Sequence, residues 1–250
     1  MTTQLATQPT ASLFDLAALP VIPPHPAKFS AALYPVFYAL LRDRGVRTLL
    51  DPMAGLGGVH RLRRWLPDLV TVGIEIEPEN AAAHPATRVG DATALPFADG
   101  SFDAILVSPT YGNRMGDTFT AKQDRGRNTY THVLRAFTGD NHRQLHTNNT
   151  GGYTWKHAQY RDLHRRAWAE ARRVLRPGGW FILNCKDPME QSGAVILPVT
   201  QWHVDTLTGL GFAVVEWRQV KAKGNGFGAN REFRVDHEDV VLLRRGEVTA

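Results

Sequence analysis

Cysteine is nearly missing from this 250-residue chain, which carries only Cys185. A lone cysteine excludes an intramolecular disulfide framework and any multi-cysteine metal site, and it fits a reducing compartment. The ten histidines, among them His132, His142, His146 and His157, show no metal-ligand spacing, so no metal site is expected. Long apolar runs are also lacking: nothing approaches the roughly 18 continuous apolar residues of a membrane span. The first residues carry no basic stretch followed by an apolar run, the pattern of a secretory signal. A cytoplasmic protein is expected. Acids are in the minority, 24 against 29 Lys and Arg, for a net charge of +5 and a sequence pI near 9.6. That surplus suits a polyanionic partner.

What is present suits one α/β domain. With 43% hydrophobic residues, the chain can bury a proper core. Residues 1–24, rich in Thr, Ala, Gln and Pro, read as a flexible tail, and 25–250 as the domain. Phe29, Leu33, Val36, Phe37, Leu40 and Leu41 share a face at helical spacing over Ser30–Leu41, with Pro35 expected to kink or shorten the helix. From Val46 the pattern alternates. Strand-like runs occur at Val46–Leu50, Val70–Ile74, Thr87–Val89, Ala104–Val107, Trp180–Leu183, Ala213–Trp217 and Val240–Leu243. Helical patterns lie around Val59–Trp65, His164–Leu175 and Val199–Leu207, and Gly178-Gly179 punctuates one helix-to-strand step. Alternation of this kind predicts a single Rossmann-like, doubly wound, mainly parallel sheet of seven strands. Between Gly112 and Tyr160 the rhythm breaks into a long polar segment, read as an insertion after the fourth strand.

The chemistry-bearing residues gather where strands end. The first strand runs into Asp51-Pro52-Met53-Ala54-Gly55-Leu56-Gly57-Gly58, and its glycines permit a sharp turn and close approach of a ligand. A dinucleotide fingerprint needs a third small residue where His60 stands. An acid closing the strand also offers nothing to a pyrophosphate. The second strand ends in Gly73-Ile74-Glu75-Ile76-Glu77-Pro78, and Gly90-Asp91-Ala92 follows the third. Each acid alone reads as a solvated loop residue; three at consecutive strand ends, the first joined to a Gly-x-Gly turn, read as a ligand site.

This series resembles the class I S-adenosylmethionine-dependent methyltransferases over most of Val46 to Arg244. The resemblance implies S-adenosylmethionine as cofactor and a last strand running antiparallel. It implies that the loop of Asp51, Met53, Ala54, Gly55 and Gly57 holds the methionine part, Glu75 the ribose hydroxyls, and Asp91 the adenine amino group, with Ile76 and Ala92 beside them. Upstream, His25-Pro26-Ala27-Lys28-Phe29 resembles a segment that encloses the methionine end in related DNA methyltransferases, which makes Lys28 a candidate; a solvated helix-start residue is the alternative. Leu175-Arg176-Pro177-Gly178-Gly179 matches the lead into the fifth strand.

After the fourth strand, Ser108-Pro109-Thr110-Tyr111 resembles the Asp/Asn/Ser-Pro-Pro-aromatic motif of enzymes that methylate adenine N6 or cytosine N4 in DNA. An exocyclic amine is conjugated with its ring and weakly nucleophilic. Acceptors for its hydrogens localise the lone pair, and an aromatic ring stacks on an extruded base. The resemblance makes Ser108 one acceptor, Pro109 the source of a carbonyl and Tyr111 the stacking ring, with cytosine N4 favoured by the serine. Thr110 departs from the second proline that stiffens this loop in the family. Cytosine C5 chemistry needs a cysteine nucleophile after the fourth strand; Cys185 follows the fifth and reads as a small buried residue.

The segment 112–160 interleaves cations, including Arg114, Arg125, Arg127 and Arg143, with aromatics, including Tyr153 and Trp155. Phosphate-holding charges beside stacking rings suit DNA, or RNA; a solvated loop with structural aromatics is the plain alternative. With no large separate target-recognition domain, recognition falls to this segment, the tail and the Lys221–Arg231 loop, or to a separate recognition or restriction partner. Methylation of RNA or of a protein amide, and a non-catalytic nucleic-acid-binding protein of this fold, are the competing readings.

Overall fold

The computed structural model describes residues 29–112, 131, 134–135, 138–140, 142–188, 195–221 and 235–247. Among these, the strands are β1 (Thr48–Asp51), β2 (Val70–Glu75), β3 (Thr87–Val89), β4 (Phe102–Val107), β5 (Leu175–Cys185), β6 (Phe212–Lys221) and β7 (His237–Arg245). They form one seven-stranded sheet in the order β3-β2-β1-β4-β5-β7-β6. Neighbours from β3 through β5 pair in parallel, while β7 lies antiparallel to both β5 and β6. The expected sheet, mainly parallel with its last strand reversed, is the one observed. From β1 the chain works outward to β2 and β3, then returns across the sheet to β4 on the other side of β1. That reversal is the point where an open α/β sheet has a crevice beyond its carboxyl ends.

Both faces are covered, and the strand period decides which residue goes where. Leu49, Ala104 and Leu106 face α1 (Leu33–Arg42) and the 3₁₀ helix Gly58–Arg64. Their neighbours Leu50, Ile105 and Val107 face α3 (Ala158–Val174) and α4 (Val199–Gly209). All six are fully buried, which is why these strands read as continuous apolar runs. A short helix, α2 (Pro78–Ala81), follows β2.

Three expectations shift in detail. Helix α1 is shorter at its start than expected, beginning at Leu33 rather than Ser30; that start puts Pro35 in the first turn, where a proline lacks only an amide that has no helical partner. The helix expected at Val59–Trp65 is a 3₁₀ helix, tied down by His60, whose ring nitrogens meet Thr71 Oγ1 at 2.7 Å and Thr87 Oγ1 at 2.9 Å. Strand β5 starts before Pro177-Gly178-Gly179 rather than after it. The pairing with β4 jumps from Phe102↔Leu175 to Ala104↔Trp180, so these residues form a bulge, with Gly178 at a φ of 69°. No helix of the described residues is long and apolar enough to cross a membrane.

Candidate active site

The turn after β1 is shaped by its glycines. Gly55 and Gly57 have φ of 52° and 78°, a region that side-chain-bearing residues rarely adopt. A Cβ at Gly57 would also come within 2.8 Å of His84 Cβ and 2.9 Å of His60 Cδ2. Glu75 secures the turn from the neighbouring strand: the Gly55 amide donates to its Oε2 at 2.9 Å and the Glu77 amide to its Oε1 at 3.0 Å. Asp51 Oδ1 accepts from the Met53 amide at 3.1 Å. Ala54 is buried beneath, its amide bonded to the Ile74 carbonyl. Met53, Gly55, Glu75, Ile76, Asp91 and Ala92 line one cleft.

The carboxyls are shifted in different directions. Burial pushes Asp51 up to about 8, with the charge of Glu75 adding to the effect. Burial likewise pushes Glu75 up to about 7, against the pull of the Glu77 and Gly55 amides. At Asp91 burial acts upward too, but the donors Asn148 and Thr93 outweigh it and hold the carboxyl below its usual range. Asn80, 4% exposed and on the same wall, has a buried Oδ1 with no hydrogen-bond partner. On the cleft wall the buried Glu75 carboxyl and the unused Asn80 acceptor suit a ligand that brings positive charge and hydroxyl donors, which S-adenosylmethionine does.

The stretch 142–150 borders this cleft, which its sequence did not announce. Its anchor is Glu77, whose side chain has no exposure. Glu77 accepts from Arg143 Nη2, the His146 amide and Asn149 Nδ2, each at 2.8 Å. Arg143 also grips Glu79 at 2.9 Å, so it is an internal clamp rather than a cation waiting for phosphate. Farther along, Asn148 Nδ2 donates to Asp91 Oδ2 at 2.7 Å. Asn148, Asn149 and Thr150 thereby become cleft residues. The visible signal for them was the second acid of Glu75-Ile76-Glu77, sealed in a strand-end loop and needing partners.

Ser108 and Thr110 stand on the wall of the same cleft. Ser108 Oγ lies 3.2 Å from Tyr111 Oη and receives Asn184 Nδ2 at 3.2 Å; the same Asn184 nitrogen donates to Glu238 Oε2 at 2.8 Å. Pro109 is buried and Tyr111 half-buried against the core. Thr110 is held from two sides, its carbonyl by Tyr160 Oη at 2.6 Å and its hydroxyl by Thr150 Oγ1 at 2.8 Å. Behind Tyr160 stands His203, with Nε2 at 3.3 Å and Nδ1 accepting from Trp168 Nε1 at 3.1 Å. Burial holds His203 well below its usual range, so the imidazole is neutral. These hydrogen bonds stiffen the loop at Thr110.

Of the residues read as nucleic-acid contacts, Tyr153 and Trp155 are spoken for internally. Tyr153 donates to the Thr147 carbonyl at 2.6 Å. Trp155, 8% exposed, packs edge-on to Tyr160 and Trp202 with Arg161 over its ring. It is a core residue rather than an open stacking platform. Lys28, Arg114, Arg125 and Arg127 lie outside the described residues, as does most of the Lys221–Arg231 loop. Cys185 is fully buried, and burial raises its thiol, as expected of an inert residue.

No protein-family model matches the chain, and no curated protein matches it in sequence. Solved structures do match the fold. The [4+2]-cyclase SpnF is 16% identical over 95% of this chain and 92% of its own, with a TM-score of 0.54. An S-adenosylmethionine-dependent methyltransferase from Mesorhizobium loti is 15% identical over 86% and 98%, with a TM-score of 0.51. The Haloferax volcanii protein solved in complex with the Trm112 methyltransferase activator is 16% identical over 86% and 91%, also with a TM-score of 0.51. The chain has the class I methyltransferase fold. That a [4+2]-cyclase shares the methyltransferase fold means the chemistry has to be argued from the residues of the cleft.

Proposed function

We propose that this chain is an S-adenosylmethionine-dependent methyltransferase acting on an exocyclic amino nitrogen of a DNA base, cytosine N4 ahead of adenine N6. One observation carries the reading: Ser108 and Thr110 share a cleft with the glycine turn, Glu75 and Asp91. When bound, the cofactor supplies an electrophilic methyl group on a sulfonium. Glu75 and Asn80 would accept from the ribose hydroxyls, and Ile76 and Ala92 would flank the adenine. Asp91 has room for the adenine amino group: Thr93 makes two bonds to Oδ1 and Asn148 one to Oδ2, which leaves one lone-pair position on Oδ2.

At the reacting end the arithmetic concerns Ser108. A hydroxyl has one hydrogen and two lone pairs. Asn184 uses one lone pair; with the hydrogen given to Tyr111, the second lone pair is left for a hydrogen of the amine. That contact and a backbone carbonyl of the loop localise the nitrogen lone pair, and after transfer the nitrogen loses one proton to solvent. Arg114, Arg125 and Arg127 keep their proposed role in holding the phosphate backbone. A separate recognition or restriction partner belongs to the same reading, and the Haloferax volcanii protein, in complex with an activator, offers a precedent for a partnered fold.

The test is transfer of labelled methyl from S-adenosylmethionine to DNA, RNA and protein in parallel, followed by nucleoside mass spectrometry. N4-methylcytosine or N6-methyladenine is the expected product. Label confined to RNA or protein, or 5-methylcytosine as product, overturns the proposal.

A further inference from the structure

Beside the reaction loop lies a cationic shoulder that no role above uses. The first half of α3 and the first turn of α4 both start at the carboxyl edge of the sheet. Helix α3 and the residues leading into it meet the loop directly: the Trp155 amide donates to the Gly112 carbonyl at 2.8 Å, and Tyr160 Oη to the Thr110 carbonyl at 2.6 Å. On this shoulder the Arg161 guanidinium sits 4.7 Å from the centre of the Trp155 ring, and that of Arg165 sits 5.6 Å from Trp202. The two indoles meet edge to face at 5.6 Å, so the pairs form one unit. Positions i and i+4 place both arginines on one side of α3.

Several other arginines among the described residues are tied to acids. Arg143 and Arg173 are committed to buried or half-buried acids, and Arg166 to Asp162. Neither Arg161 nor Arg165 has an acidic partner among the described residues, and Arg161 Nε has no acceptor either. A guanidinium laid on an indole is already held in place, so little freedom is lost when its outer N–H groups take an anion. Planar and paired, they suit phosphate oxygens.

We infer that Arg161 and Arg165 grip the sugar–phosphate backbone of the DNA strand whose base enters the cleft at Ser108. The inference rests on the nucleic-acid reading of that cleft, but its test does not depend on turnover. Binding of a labelled 20-nucleotide DNA, single-stranded and as duplex, is measured against salt for wild type and for Arg161→Gln/Arg165→Gln, with folding checked by thermal melting. For the duplex, the slope of log affinity against log salt should flatten by about two, at about 0.9 per lost phosphate contact. Binding of S-adenosylmethionine should not change. Arg161→Lys/Arg165→Lys keeps the charges and should restore most of the slope. An unaltered slope in the glutamine variant, or a wild type that binds neither DNA, overturns the inference. DNA held through the shoulder yet never methylated would sustain it while refuting the proposed reaction.

Discussion

Arg143 and Glu77 are 66 residues apart in sequence and 2.8 Å apart in space. Through that contact the segment after the reaction loop is fastened to the strand end that carries Glu75. Glu77 is fully buried and Arg143 a quarter exposed. Removing one partner of a buried pair costs about 3–5 kcal/mol, and solvent screening of Arg143 lowers that. Arg143→Met should therefore destabilise by about 2 kcal/mol in urea denaturation. It should also speed hydrogen exchange over residues 142–150 and weaken S-adenosylmethionine binding. Unchanged exchange there would mean the clamp holds nothing.

The raised carboxyls make the turn after β1 sensitive to pH. Asp51, at about 8, and Glu75, at about 7, hold protons more tightly folded than unfolded. The stability they add is complete below their unfolded values near 4, and it is lost as pH rises through 7 and 8. Asp51→Asn should thus gain stability relative to wild type as pH climbs from 4 to 8. A cationic cofactor favours the charged forms, so its binding should release about one proton near pH 7 and tighten with pH. Calorimetry in buffers of different ionisation enthalpy measures the release; proton uptake would contradict this account.

Tyr160→Phe removes one hydroxyl and leaves the ring in the core. The Thr110 carbonyl then loses its donor, at a cost of about 1 kcal/mol in stability. If that bond stiffens the reaction loop, kcat should fall while KM and cofactor affinity hold. A drop in melting temperature with kcat unaltered would assign the bond to packing alone.

Direct variants test the chemistry. Glu75→Ala should weaken S-adenosylmethionine by about 1–3 kcal/mol in calorimetry. Ser108→Ala should mainly slow single-turnover methyl transfer, since an acceptor matters most as charge develops on the nitrogen. A wild-type single-turnover rate in that variant would return Ser108 to the role of a turn residue.

The strands and the glycine turn were legible because local sequence decides them. Leu49, Leu50, Ile105 and Val107 are buried on both faces of a parallel sheet, and that leaves a continuous apolar run. Strand β6 was legible only in part. It lies at the sheet edge with Val214, Val215 and Trp217 exposed, so its polar end carries no burial signal. Acids ending three successive strands marked the cleft for the same local reason.

The 142–150 stretch was not legible. Asn148, Asn149 and Arg143 follow no period, and their partners lie 57 to 72 residues away. Trp155 misled for a related reason: an indole beside cations has the same composition whether it stacks on a base or fills a core, and only its 8% exposure decides.

The return of the chain from β3 across β1 to β4 also bears on the order of folding. The glycine turn and the acids of β1–β3 come from residues 51–91, whereas Ser108 and Asn148 arrive on β4 and on the chain that follows it. Half a cleft can therefore assemble early, but the complete one exists only after the most distant contacts close, and such contacts form slowly. A ligand that needs both halves binds only the finished protein, and it raises apparent stability by mass action. Cellular S-adenosylmethionine would then set how long a newly made chain survives proteolysis as well as how fast it turns over.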